Sequence, residues 1–240
     1  MDKFSLYVPN FIPGKESIDM KHINTCIGCG VALAVRQIGK VAGDLLRKAV
    51  WDSPSEGTFF SAQSGVQLLR IKQGKNQVVF GLDDEPDGSL EGAAKKTLPA
   101  IAVAEGFNYV ATACPSYPFD LFEKVKKALE TDGKAYVHIL CPCPLAWQFP
   151  TEDTVKVGFK AVESLAFPLY EAGSGFFNQT IKTMKPKSFS EYIRAQDRFS
   201  GESDEAVQQA GQVVEKQYNK LLENLEGQMS YTCETTGEVY

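Results

Sequence analysis

The stretch 108-NYVATACPSYPFDLFEKVKKALETDGKAYVHILCP-142 decides the fold. It opens with 108-NYVATACP-115, rich in residues that suit a buried, pleated strand. An amphipathic helix follows, 119-FDLFEKVKKALETD-132, closed by Gly133. The run 135-AYVHILCP-142 is a second strand. Strand, helix and strand in this order form a βαβ unit, whose two strands run parallel.

Working outward, 77-QVVFGLDD-84 reads as another buried parallel strand, ending in acids, and a helix is expected from about Leu98 to Glu105. Val66, Leu69 and Ile71 predict a helix over roughly 60–73, ahead of the turn QGKN. Val31, Leu33, Ala34, Ile38, Val41, Leu45 and Leu46 fit a buried helix face, with Gly28 and Gly30 at its start. Downstream, 151–166 reads as helix, 167–180 as a turn-rich segment, 204–226 as a final amphipathic helix and 230-SYTCETTGEVY-240 as a polar tail. Residues 1–20, broken by Pro9, Pro13 and Gly14, form an extended arm. The expected architecture is α/β: a parallel sheet flanked by helices over 21–200, with a C-terminal helix and tail over 201–240. Sites in such sheets lie at the C-terminal ends of the strands.

The 240 residues are 43% hydrophobic and 23% charged, an ordinary globular composition. No run of about 18 apolar residues suggests a membrane span, and the N-terminus lacks a secretory signal pattern. A cytoplasmic location is the expectation. Net charge is −5 with Lys and Arg interspersed among acids, which argues against nucleic acid as a partner.

Six cysteines in such a compartment are free thiols or metal ligands rather than disulfides. Cys26 and Cys29, in 22-HINTCIGCGVALAVRQIGK-40, are spaced so that both thiolates reach one metal or cluster. Gly28 and Gly30 leave room for a bulky inorganic sulfide. Zinc, an iron–sulfur cluster and a redox dithiol all use this spacing. Cys141 and Cys143 lie in a proline-stiffened loop at a strand end. Cys114 reads as a core thiol and Cys233 as a residue without a role. His138 is expected to be a satisfied core histidine and His22 a loop residue. The acids of 83-DDEPDG-88 read as a solvated turn. No Walker loop, nucleophile elbow or GxGxxG is present.

These motifs together resemble one family. The run from Leu98 to Trp147, the CIGCG at 26–30 and 185-KPKSFSEYIRAQDRF-199 are similar, in the same order, to the thiamine-binding β subunit of 2-oxoacid:ferredoxin oxidoreductases. The resemblance implies a thiamine-diphosphate-binding-like fold, partner subunits, and ferredoxin or a similar electron acceptor. It also implies a 4Fe-4S cluster held by Cys26, Cys29 and Cys143. The family's further cluster cysteine falls in a segment this chain lacks. Cys141 is the candidate substitute, with Cys114 as the alternative.

The same resemblance exposes losses. Where the family carries the Asp of its GDG motif, for magnesium and the diphosphate, this chain has Ser55 preceded by Pro54. The family's magnesium-binding Asn corresponds to Asp84, and 89-SLE-91 replaces its Asn-Thr-Gly. Gly57 and Asp84 are what remains of the thiamine and Mg2+ positions. Adjacent anions at Asp83 and Glu85 would repel a diphosphate left without its metal. The expectation is an iron–sulfur-carrying β-type subunit that relays electrons or scaffolds, its thiamine site lost. The alternatives are a divergent but active thiamine-dependent subunit, and a non-redox structural subunit with zinc or no metal.

Overall fold

Helix formation begins where the sequence places it, directly after the glycines of 26-CIGCG-30. The computed structural model describes residues 26–52, 66–84, 90, 98–173 and 175–233, with backbone alone for 224–233. The arm over 1–20, His22, Gly57, the Pro54–Ser55 position and Glu85–Ser89 lie outside the described residues.

The first helix, α1 (Gly30–Ala42), buries Val31, Ala34, Val35 and Ile38, an apolar stripe at helical spacing. A 3-10 segment, Gly43–Lys48, follows and leads into β1 (Val50–Asp52). Next come β2 (Gln67–Gln73), β3 (Asn76–Asp83), α2 (Leu98–Ala104) and β4 (Tyr109–Ala113). The βαβ unit is completed by α3 (Pro118–Glu130) and β5 (Lys134–Leu140). The one-turn α4 (Pro144–Trp147) and α5 (Thr154–Glu163) follow. The chain then forms β6 (Tyr170–Gly173), β7 (Phe176–Gln179), α6 (Phe189–Ile193) and α7 (Asp204–Cys233).

The seven strands form one sheet in the order β1-β2-β3-β5-β4-β6-β7. Its centre, β3-β5-β4, is parallel, and all other pairings are antiparallel. The α/β architecture is therefore as expected, a parallel core flanked by helices of the thiamine-diphosphate-binding-like kind with a helical C-terminal region. The antiparallel margins were not legible in the strand–helix alternation.

Three segments differ from expectation. Of the helix expected over 60–73, residues 67–73 are β2, because Gly74–Lys75 turns the chain back and pairs Gln73 with Asn76. Gly74 has φ +60°, which suits the first position of a two-residue hairpin turn. Val66, Leu69 and Ile71 satisfy helical spacing, but backbone pairing to β3 overrides it. The turn-rich 167–180 contains a second hairpin, β6–β7. The tail read from 230 onward is helical as far as Cys233.

Strand alternation divides the core. Val78, Phe80 and Leu82 of β3 and Ala135, Val137 and Ile139 of β5 face α1 and α3. The opposite face is covered by α4, α5, α6 and α7 around Trp147, Phe167, Leu169 and Phe199, while Tyr136 and Val110 pack with α2. His138 is buried on this second face and is satisfied. Its Nδ1 pairs with the Tyr136 hydroxyl at 2.8 Å and its Nε2 with Asp83 Oδ2 at 3.1 Å.

Two lysines of α3 lock the antiparallel margin to the parallel core. Lys124 is fully buried and donates to the Thr112 carbonyl, Asp120 Oδ2 and Thr180 Oγ1 at 2.8, 2.6 and 2.7 Å. Lys127 and the Tyr109 hydroxyl both donate to Glu171 Oε1 on β6, at 2.7 and 2.8 Å. Burial of Glu171 acts to raise its carboxyl pKa, but the Lys127 and Tyr109 hydrogen bonds outweigh it and hold the pKa below the ordinary value. A depressed folded-state pKa means the unfolded chain binds more protons in acid. Glu171 thus stabilises the fold above the ordinary carboxylate pKa of about 4.3, and this is lost as pH falls through the lower folded value. Glu171→Gln is expected to flatten the acid limb of stability against pH, measured by denaturant midpoints. An unchanged acid limb would remove this group as its source.

Candidate functional site

The three parallel strands end side by side, and their exits build the site. The ladder runs one residue beyond β5, with the Cys141 N–H donating to the Asp83 carbonyl at 2.7 Å. Pro142 and Pro144 then bracket Cys143 and stop the strand, since neither can donate to a ladder. Cys143 becomes the N-cap of α4, its Sγ accepting from the Ala146 N–H at 3.5 Å.

The CIGCG loop docks on this exit. Cys26 to Cys29 form a turn closed by the Cys29 N–H to the Cys26 carbonyl at 3.2 Å, with Gly28 at φ +74°. Cys29 caps α1, its Sγ accepting from the Ala32 N–H at 3.5 Å. The Gly30 N–H donates to the Pro142 carbonyl at 3.2 Å. A Cβ on Gly30 would collide with that carbonyl and stand 2.7 Å from the Cys141 carbonyl carbon, so only glycine lets the loops close. The Thr154 hydroxyl donates to the Gly28 carbonyl at 2.6 Å, latching the loop to α5 as well.

The thiols fall into two sets. Cys26 is exposed, and Cys29 and Cys143 are half-buried. Burial and then the neighbouring Cys29 and Cys143 thiols raise the Cys26 pKa. Cys141 and Cys114 are fully buried. The Cys141 Sγ lies 3.4 Å from the Ile139 carbonyl and packs with the α1–α3 core, and burial pushes its pKa well up. Cys114 packs on the opposite side with Trp147 and Val157, and burial raises its pKa to about 11.

Among the described residues, no three His, Cys, Asp or Glu side chains gather into a site for a single metal ion. The donor chemistry of Cys26, Cys29 and Cys143 suits a larger cluster, whose irons take separate thiolates. Asp84 follows β3 and is half-buried, and its carbonyl accepts from the Trp147 indole N–H at 2.6 Å. Asp83 departs from the expected solvated turn. It is the buried last residue of β3, because the ladder carries it inward to His138. Sequence reasoning missed the Asp83–His138–Tyr136 chain and the Thr154 latch. The i, i+2 pairing of Tyr136 and His138 on one strand face was the available signal for the first.

Among the described residues, no helix is long and apolar enough to cross a membrane. No protein-family model matches the chain. It is 41% identical over 132 residues to the pyruvate synthase subunit PorB of Methanocaldococcus jannaschii, covering 55% of this chain and 44% of that protein. It is 47% identical over 109 residues to PorB of Methanothermobacter thermautotrophicus, covering 45% and 38%. It is 31% identical over 134 residues to the ketoisovalerate oxidoreductase subunit VorB of Pyrococcus furiosus, covering 55% and 43%. In each case the match spans less than half the length of the curated relative. The resemblance carried by the sequence motifs and these similarities agree: this chain resembles the β subunits of 2-oxoacid:ferredoxin oxidoreductases.

Proposed function

We propose that this chain is an iron–sulfur-carrying β-type subunit of a 2-oxoacid:ferredoxin oxidoreductase-like complex, serving electron relay or scaffolding, with its thiamine site lost. One observation carries the reading. The Gly30–Pro142 contact clamps two cysteine loops together at the strand ends and leaves Cys26, Cys29 and Cys143 on the accessible side. A bound 4Fe-4S cluster supplies one-electron transfer. Around it the chain contributes three thiolates and, at Cys29, the N-terminus of the 13-residue α1, whose N–H groups favour negative charge. Hydrogen bonds to the sulfurs from Ala32 and Ala146 are the kind that tune cluster potential. For the fourth ligand, Cys141 and Cys114 are the sequence candidates. Partner subunits and a ferredoxin-like acceptor complete the proposal, in the cytoplasm.

The half-buried Asp84 at the β3 exit leaves one second reading, a divergent subunit that still binds thiamine diphosphate through Asp84 and Gly57. Titration calorimetry with thiamine diphosphate and magnesium on the anaerobically purified chain separates the two. No binding heat is expected. A heat abolished by Asp84→Ala would establish the second reading. Cys26→Ser and Cys29→Ser are each expected to bleach the visible absorption of the anaerobic protein, and an unchanged spectrum contradicts the cluster.

A further inference from the structure

The chain has six cysteines, and their placement constrains what can ligate a cluster. Cys233 ends α7, roughly 28 Å of helix beyond Val214 in the second core cluster. Cys114 is fully buried, its Sγ standing 3.0 Å from where a Cβ on Gly158 of α5 would lie. It packs with Trp147 and Val157 on the face of the sheet covered by α4 and α5.

Cys141 is the nearer candidate, but it is held on both sides. Its N–H is tied to the Asp83 carbonyl at 2.7 Å. Its own carbonyl carbon supports the close approach of Gly30, the first residue of α1. Its thiol packs within the core formed by α1, α3 and the sheet, against the Ile139 carbonyl. Turning the thiol outward would pull an apolar-packed side chain from the core and disturb the contact that holds the two cysteine loops together. Cys29 and Cys143 need no such change, since each is half-buried and already caps a helix with its sulfur. Ile27 and Leu145, close in the chain to these thiols, are exposed.

We propose that this is a three-thiolate cluster site. Cys26, Cys29 and Cys143 ligate, Cys141 and Cys114 remain core thiols, and the fourth iron takes an exchangeable oxygen ligand such as water, hydroxide or a small carboxylate. This rests on the cluster reading above and sharpens it, because an iron without a protein thiolate can accept an outside ligand.

The test uses the full chain, reconstituted anaerobically with ferric iron, sulfide and an excess of thiol reductant. Cys141→Ala and Cys114→Ala are expected to keep the wild-type iron, sulfide and visible spectrum, while Cys143→Ala loses most of all three. A Cys141→Ala protein that is folded by circular dichroism yet bleached overturns the inference and leaves the cluster reading standing. Should Cys141→Ala fail to fold, Mössbauer spectra of the unmodified chain in isotopically enriched iron decide the matter. One distinct iron among about four supports the three-thiolate site, and uniformly thiolate-ligated irons overturn it. A wild-type chain that takes up no iron overturns the cluster reading and this inference with it.

Discussion

Asp120→Ala is expected to lower the unfolding free energy by about 3–5 kcal/mol, the range for breaking a buried ion pair by removing one partner. Asp120 and Lys124 lie one helical turn apart on α3, with side chains 8% and 1% exposed and a 2.6 Å contact. Burial lowers the Lys124 pKa, and Asp120 is the first influence opposing it. Without Asp120 the ammonium keeps its bonds to Thr112 and Thr180 but loses its counter-charge. The sign of the pH effect follows. A folded-state lysine pKa below the unfolded value means that the unfolded chain binds more protons, so the deficit shrinks as pH rises toward the ordinary lysine value. At about 2–4 °C per kcal/mol for a chain of this size, the melting temperature should fall by roughly 10 °C. Joint replacement by Leu at 120 and Met at 124 should recover most of the loss, because buried pairs are often replaceable by apolar residues of similar volume. A loss below about 1 kcal/mol in the single variant would mean the pair behaves as a surface pair.

Trp147→Ala is the second large effect, about 3–5 kcal/mol. Trp147 is the largest fully buried side chain. Its indole N–H ties the Asp84 carbonyl at 2.6 Å, and the Arg198 guanidinium lies 4.7 Å from the ring centroid. It therefore joins the exit of β3, the loop carrying Cys143 and the 197–199 turn. Trp147→Phe keeps most of the apolar burial but loses the bond to Asp84, for about 1 kcal/mol. Denaturant melts of both variants give the two costs. Equal losses would show that the indole hydrogen bond rather than packing secures the strand end.

Much of the parallel core was legible because continuous apolar runs flank a helical pattern cleanly from Asn108 to Pro142. The hairpin at Gln73–Asn76 was obscured because Val66, Leu69 and Ile71 fit either period, and only pairing to β3 decides between them. Burial of Lys124 was hidden for a different reason. A lysine on an amphipathic helix reads as solvent-facing, and its partners Thr112 and Thr180 come from β4 and the end of the β6–β7 hairpin. In the site, the spacing of Cys26 and Cys29 and the proline-flanked Cys143 pointed to one location. Cys141 packs in the core because it continues the strand face of Ala135, Val137 and Ile139, whereas the close approach of Gly30 to the Cys141–Pro142 backbone was not legible in the sequence.

Iron and acid-labile sulfide analysis of the anaerobically prepared full chain tests the central claim most directly. A brown protein with about four of each per chain, falling sharply in Cys143→Ala, is the predicted result. A colourless chain without iron, whether it carries zinc or no metal, would contradict it.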